Sequence, residues 1–326
     1  MESLSYTSLF SWLMNQETAS YQFHGQTLSR HVECQAPKGG ARLRLIYVTR
    51  DLETAIAKAI SQSLLPLSLA LIDRQCGLNC IELCSDKPFE QVHLQLFSSL
   101  EKVEAFLMVA EPPRLNSPGL LVMDMDSTAI EIECIDELAA MAGVGEAVAE
   151  VTERAMQGEL DFEESLRARV SQLTGADESI IQTLCDKLPL MSGVTEMVTE
   201  LQSHDWRVVV ASGGFTPFVG HLKQLLSLDA AFANELDIEG GKLVGTVSGQ
   251  VVDAQFKADT VQRCAQLWDI PQGQKLAIGD GANDIPMIEA ADFGIAYHAK
   301  PKLKLSADVS ISQLDLRVLP YLLQLS

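Results

Sequence analysis

Three short apolar runs constrain this chain more than any other feature. Gly119 to Met123, Arg207 to Ala211 and Lys275 to Ile278 are too short for helices and too uniformly apolar for strands with one wet face. Such runs, separated by stretches of helical period, predict a parallel sheet buried on both faces, with crossover helices. Phe293 to Ala296 reads as a fourth strand. The first three runs end in Asp124-Met-Asp126-Ser-Thr128, Ser212-Gly-Gly214 and Gly279-Asp280-Gly-Ala-Asn283-Asp284. Ligands of open α/β sheets bind beyond the carboxyl ends of the strands, so these three ends predict one site.

Roughly 80 residues separate the first two runs, far more than a simple crossover needs. The excess, about 131–201, has helical patterns over Ile130 to Ala142, Val144 to Met156, Phe162 to Leu173 and Glu178 to Leu188. It reads as a helical cap inserted into the sheet domain. Leu236 to Gln250, centred on Glu239-Gly-Gly-Lys242, reads as a β-hairpin. Upstream, strands are expected over Arg42 to Thr49, Pro66 to Asp73 and Glu104 to Ala110, and helices over Leu52 to Leu64 and Pro88 to Leu100. The prolines of Glu111 to Gly119 favour an extended connection. The expected organisation is a small N-terminal α/β domain (1–112), a linker (113–118), and a doubly wound α/β domain with a parallel sheet and an inserted helical cap (119–326).

Composition narrows the partners. A formal charge of −20 argues against nucleic acid, whose phosphates are bound by Lys and Arg. The same field repels an anionic substrate, so a phosphate site here must carry its own local cations. The longest apolar stretch, near Leu64 to Ile72, is broken by Pro66 and is far shorter than the ~20 residues of a membrane span. Met1 to Asn15 lacks the basic start and small-residue cleavage site of a secretory signal. These features predict a soluble, cytoplasmic protein; a homo-oligomer is left open. Seven cysteines are present, and Cys76, Cys80 and Cys84 recur every four residues, which is not a metal-binding CxxC spacing. Reduced, buried thiols are expected, with no zinc site, because no His or CxxC set completes one.

Residues i and i+2 of a strand point to the same side, so Asp124 and Asp126 reach one small volume just past the strand end. Asp280 and Asp284 add two carboxylates after another strand. Alone, the first pair reads equally as ordinary turn residues and the second reads rather as a glycine turn with Asx hydrogen bonds; together they resemble a site for a hard cation. Mg²⁺ suits it, using one or two carboxylates, water and a substrate phosphate oxygen, although Mn²⁺ accepts the same oxygens. Ser212-Gly-Gly214 fits either a plain strand-to-helix turn or a phosphate cradle of backbone N–H groups. Lys257 taken alone reads as a surface lysine.

The combination DxDST, SGG, Lys, GDGxND strongly resembles the haloacid-dehalogenase superfamily of phosphatases. The local sequences Asp124 to Ala139, Met156 to Val170, Ser212 to Phe215 and Gly279 to Asp284 closely resemble the phosphoserine phosphatases within it. The resemblance spans about Gly119 to Pro301 and excludes the N-terminal domain. It implies a Rossmann-like core, hydrolysis of O-phospho-L-serine through an aspartyl phosphate, and a place at the last step of phosphorylated serine biosynthesis. It implies Asp124 as nucleophile and Asp126 as general acid, then base. Mg²⁺ would be held by Asp124, the Asp126 backbone carbonyl and Asp280, with Asp284 supporting them. Lys257 would offset charge on the phosphoryl group, while Ser212, Gly213 and Asn283 hold phosphate and substrate.

Elementary chemistry agrees with these roles. A carboxylate is already ionised at neutral pH and needs no base to attack. Phosphate monoester hydrolysis demands accelerations of up to ~10²¹, beyond any single group. For the substrate's ammonium and carboxylate, the resemblance implies Glu133 and Arg169. The arginine has independent support. At about 100° per residue, Phe162, Leu166, Val170 and Leu173 form one stripe with Arg169 beside it, whereas Arg167 points away. An inward arginine needs a carboxylate, either of the protein or of a ligand. Glu133 rests on the resemblance alone.

Two other functions are compatible with parts of the pattern. A phospho-accepting signalling domain also pairs an acceptor aspartate with acids and a lysine, but the helical insertion and Asp126 count against it. A phosphotransferase, or a phosphatase for another small ester, would keep the core and differ in the cap. The N-terminal βα pattern is compatible with a ferredoxin-like unit of the ACT type, which would make that domain regulatory.

Overall fold

The structure is a computed structural model that describes residues 2–15, 18–33, 40–109 and 111–325. Ala110 of the last expected N-terminal strand and Cys34 lie outside the described residues. The chain divides into two compact units: residues 1–117 with 195–205 and 311–326, and residues 118–194 with 206–310.

The first unit contains α1 (Glu2–Asn15), β1 (Ser20–Phe23), β2 (Gln26–Arg30), β3 (Ala41–Tyr47), α2 (Glu53–Ser63), β4 (Ser68–Ile72), β5 (Asn79–Ser85), α3 (Gln91–Ser98) and β6 (Val103–Leu107). Its sheet has the order β1-β2-β4-β5-β3-β6. Neighbours are antiparallel except β2 and β4, which run parallel. From β3 to β6 the chain runs β-α-β-β-α-β, the split arrangement of ferredoxin-like units. Alternate residues of β3 and β5, such as Leu43, Leu45, Ile81 and Leu83, join Leu9, Phe10, Ile56, Ile60 and Phe97 in one buried core.

The other sheet face is charged. Arg44 and Glu82 lie directly opposite each other on β3 and β5. Arg44 is fully buried and donates to Glu82, Glu33 and the carbonyls of Tyr321 and Leu323. Arg74 donates to both oxygens of Glu33 and to the carbonyls of Pro320 and Leu323. Two guanidinium groups thus tie residues 320–323 to the sheet. The expected strands and helices from Arg42 to Leu107 form within a few residues of their expected ends. The structure adds α1, β1, β2 and β5.

The second unit opens with β7 (Leu120–Met123), followed by α4 (Cys134–Met141), α5 (Gly145–Met156), α6 (Phe162–Ser171) and α7 (Ser179–Cys185). Then come α8 (Val194–Ser203), nearly all of it part of the first unit, β8 (Arg207–Phe215), α9 (Thr216–Leu226), β9 (Ala230–Glu239) and β10 (Lys242–Ser248). The chain continues through α10 (Ala254–Leu267), β11 (Lys275–Gly279), α11 (Ile285–Ala290), β12 (Phe293–Tyr297), α12 (Pro301–Ser306), β13 (Val309–Ile311) and α13 (Leu319–Leu322), the last in the first unit.

The sheet order is β10-β9-β8-β7-β11-β12-β13. β9, β8, β7, β11 and β12 are parallel, and β10 closes the expected hairpin antiparallel to β9. Every residue of β7 is buried, as the uniformly apolar run requires. Among the described residues no helix is long and apolar enough to cross a membrane.

One element differs from expectation. The second apolar run does not stop at Ala211: β8 continues through Ser212-Gly-Gly to Phe215, with its register against β9 shifting between Ala211 and Phe215. Asn234 explains the extension. Its buried side-chain nitrogen donates to the carbonyls of Gly213 and Gly214 at 2.8 and 3.2 Å, and its oxygen accepts from the Val252 backbone at 2.9 Å. A side chain supplies the partners that the shifted ladder cannot.

Candidate active site

The parallel register sets the site. Met123 at the end of β7 lies opposite Val210 on β8 and Ile278 on β11. Asp124 and Asp280 therefore leave the sheet at nearly one level, beside Ser212, which β8 carries within the strand. They meet at a cavity of 590 Å³ lined by Asp124, Asp126, Gly213, Asp280 and Asn283 from the sheet side, and by Glu133, Asp136, Met156, Phe162 and Arg169 from the helical insertion. Of the site residues expected from sequence, Ser212, Lys257 and Asp284 do not line the cavity. Each is buried behind it.

Lys257 is the clearest departure from an ordinary reading. It is only 1% exposed and is not a surface lysine. Asp253 caps α10 by accepting from the Phe256 backbone, and Lys257 follows one turn later on the buried side. Its Nζ sits 2.7 Å from Asp124 Oδ2 and 2.8 Å from Asp284 Oδ1. Burial opposes its charge, but the two carboxylates outweigh that and raise its pKa.

Asp284 is spent on structure. Oδ1 takes Lys257, and Oδ2 accepts from the backbone N–H groups of Asp280 and Gly281 at 3.2 and 3.0 Å. Gly279 makes this approach feasible: a Cβ there would lie 2.4 Å from the Asp284 carboxyl. Asp124 Oδ1 accepts from the Met125 backbone at 2.7 Å, while Oδ2 faces Lys257.

Asp280 accepts from the Thr128 hydroxyl at 3.3 Å. Burial and the charges of Asp284 and Glu133 push its pKa up to about 6. Burial and Asp284 also hold Asp124 well above the usual carboxylate range, Lys257 notwithstanding.

This electrostatic imbalance bears on a metal. Carboxylate oxygens of Asp124, Asp280 and Asp284 lie within 4.8 Å of one another, and one ammonium cannot neutralise two buried acids and a half-buried one. The donor set is all oxygen and fits a hard divalent cation. Asp284 takes three donors on its two oxygens, Asp124 one on each, and Asp280 a single long bond from Thr128, so Asp280 and then Asp124 have the most capacity to spare.

Asp126 lines the same cavity, close enough for its charge to act on Asp124. Burial, followed by the charge of Glu133, raises its pKa to about 7, and the Cys134 backbone N–H donates to it at 3.2 Å. Glu133 precedes α4 at its N-cap position and accepts from the Ser127 hydroxyl at 2.8 Å. It therefore stands just before the helix, whereas the helical pattern expected from Ile130 puts it inside one.

Arg169 lies on α6 as the helical stripe requires: Leu166, Val170 and Leu173 are buried and Phe162 half-buried, while Arg167 is turned outward to Glu163. The Nε of Arg169 makes one long bond, 3.4 Å to the Ser165 carbonyl. Among the described residues no carboxylate forms an ion pair with it. Burial lowers its pKa, offset by the more distant charges of Asp136, Glu133 and Asp126.

Ser212 is fully buried, with its hydroxyl accepting from the Gly214 backbone at 2.9 Å, so it shapes the loop from behind. Gly213 faces Phe162, whose ring would be 2.9 Å from a Cβ there. Sequence reasoning missed Thr128, Asn234 and Lys300. Lys300 lines the cavity just beyond β12, and its backbone donates to the Asp280 carbonyl at 3.1 Å. The strand-end rule applied to the fourth run would have found it.

Comparison with known proteins places this geometry. The model of the haloacid dehalogenase-like hydrolases matches residues 119–292. A phosphoserine phosphatase of Haemophilus influenzae is 55% identical over 65% of this chain and 67% of its own length. The first curated relatives are thus matched over about two thirds of their own length. A solved probable phosphoserine phosphatase of Vibrio cholerae superposes with a TM-score of 0.74 at 42% identity, covering 88% of this chain and 86% of that one. A phosphoserine phosphatase solved with a phospho-aspartyl intermediate analogue superposes at 0.59 and 41% identity, covering 63% of this chain and 99% of that one. The chain belongs to the haloacid dehalogenase-like hydrolases.

Proposed function

We propose that the chain hydrolyses O-phospho-L-serine to L-serine and phosphate through an aspartyl phosphate on Asp124. The observation that carries this reading is Arg169: a half-buried guanidinium lining the cavity, with no protein carboxylate paired to it among the described residues. A ligand carboxylate is its natural partner. Glu133, also lining the cavity, takes the substrate ammonium.

Asp124 attacks phosphorus in line, and the seryl oxygen departs with the proton of Asp126. A pKa of about 7 suits that group to give a proton and then take one. Water next attacks the acyl phosphate, its proton passes to Asp126, and phosphate leaves. Lys257 stabilises phosphoryl charge and favours the ionised form of Asp124 against burial and Asp284. Gly213 and Asn283 hold the phosphate oxygens, Ser212 supports that loop from behind, and Lys300 adds a cation. A divalent metal, Mg²⁺ in this reading, would be held by Asp124, the Asp126 backbone carbonyl and Asp280, with Asp284 orienting them; it would supply charge neutralisation between nucleophile and phosphate. The six described cysteines are free and buried, which suits a reducing compartment such as the cytoplasm.

Phosphate release from L-phosphoserine, with Mg²⁺ and with excess EDTA, beside a panel of other phosphate esters, tests the proposal. Metal-dependent release selective for phosphoserine is expected. Release from other esters alone would retain the core chemistry and overturn the roles of Arg169 and Glu133. No release from any ester would overturn the phosphatase reading. The β-α-β-β-α-β run of the first unit supports amino-acid sensing there. Calorimetry of L-serine on the whole chain checks it, and the absence of heat beyond the active site's share would reject it.

A further inference from the structure

The sequence offers no histidine near Cys84, and a zinc site is not expected there. The fold supplies one. β5 alternates, so Cys80, Glu82 and Cys84 share the face opposite the apolar core. Ser68 on β4 lies directly across from Cys84. His31 follows β2, and its backbone donates to the Leu69 carbonyl on β4 at 3.0 Å. The imidazole is thereby laid over Ser68, Glu82 and Cys84.

Three different donor atoms converge. His31 Nε2 is 3.1 Å from Glu82 Oε1 and 3.5 Å from Cys84 Sγ, and Sγ is 4.0 Å from Oε1. Zn²⁺ bonds of 2.0–2.3 Å in a tetrahedron give edges of about 3.3–3.4 Å between nitrogen and oxygen, and about 3.5–3.6 Å to sulfur. Two observed edges agree within a few tenths of an ångström, and the third needs to close by a similar amount. All three side chains are enclosed: 5% exposure for His31, 0% for Glu82 and 1% for Cys84.

The surroundings are those of a metal site. His31 Nδ1 lies 2.9 Å from the Ser68 hydroxyl, which can accept its proton and so leave the Nε2 lone pair free. Glu82 Oε2 accepts from Arg44 Nε at 2.8 Å, which fixes the carboxylate plane. We propose that His31 Nε2, Glu82 Oε1 and Cys84 Sγ bind a first-row dication of the Zn²⁺ type, with one exogenous ligand such as water in the fourth position. Binding breaks the Cys84 S–H bond; the proton passes to bulk water and the sulfur electron pair forms the metal bond. The mixed N, O and S set selects against Mg²⁺, so this site and the all-oxygen Asp124 cluster take different ions.

Co²⁺ is the probe, added to the full-length reduced protein in excess Mg²⁺. The expected result is a thiolate-to-cobalt charge-transfer band in the near ultraviolet, saturating at about one equivalent and bleached by Zn²⁺. Cys84→Ser removes the band and Cys80→Ser keeps it. His31→Ala weakens Co²⁺ at least tenfold and covers the case in which Cys84→Ser fails to fold. Absence of the band in the parent protein overturns the proposal. So does a band that survives Cys84→Ser, or one whose affinity is unchanged in His31→Ala. In those cases the trio is a hydrogen-bonded cluster only.

Discussion

At the scale of single residues, the site is governed by one ammonium serving two acids. Lys257→Met removes the ammonium partner of a buried oxygen on both Asp124 and Asp284. We expect kcat to fall 100-fold or more, in the range of losing a charge-stabilising group, and the melting temperature to drop as well. Asp124→Asn is expected to abolish both turnover and trapping of a radiolabelled phosphoenzyme while leaving the fold intact; steady turnover in that variant would sink the mechanism. Arg169→Ala should raise KM for phosphoserine 10- to 100-fold and change KM for phosphoethanolamine, which lacks the carboxylate, much less. Equal losses on the two substrates would remove Arg169 from its role. The sequence made Arg169 legible because a helical stripe reports direction. Lys257 was legible only through the resemblance, since nothing in the text of α10 announces that its partners come from β7 and the turn after β11.

At the scale of elements, strands buried on both faces were readable from their apolar runs, and the cap helices from their period. The misses have physical causes. β5, Asn-Cys-Ile-Glu-Leu-Cys-Ser, carries a glutamate at its centre, which argues against a buried strand until Arg44 is seen opposite it. β8 outruns its apolar segment because Asn234 satisfies the glycine carbonyls, and a contact 20 residues away leaves no local signal. Two predictions belong here. Gly279→Ala places a Cβ on the Asp284 carboxyl, so we expect a loss of about 1–3 kcal/mol in thermal unfolding, together with a fall in kcat as Asp284 leaves Lys257. The start of α6 is a capping box, in which Asp161 accepts from the Glu164 backbone and Glu164 accepts from the Asp161 backbone. Asp161→Ala should cost about 1 kcal/mol, read as roughly fivefold faster amide exchange in the first turn of α6.

At the scale of the molecule, the first unit is held by a buried ionic network that acid should dissolve. Burial by itself would raise the Glu82 pKa, but the His31 hydrogen bond and the Arg44 guanidinium outweigh it and lower the value from 4.5 to about 2. A carboxyl depressed by folding stabilises the protein above its unfolded pKa, and that stability is lost as pH falls. We therefore expect up to about 2–4 kcal/mol to disappear between roughly pH 4.5 and 2 with chelator present. Glu82→Gln should flatten this part of the profile in urea titrations across the range. The same network has a consequence for synthesis. Arg44 and Arg74 need the carbonyls of residues 320–323, which a ribosome makes roughly 200 residues after β6, about 10–40 s later at ordinary bacterial and eukaryotic rates. Through that interval Arg44 and Arg74 of the nascent first unit lack these carbonyl acceptors, so its completion waits on residues not yet synthesised.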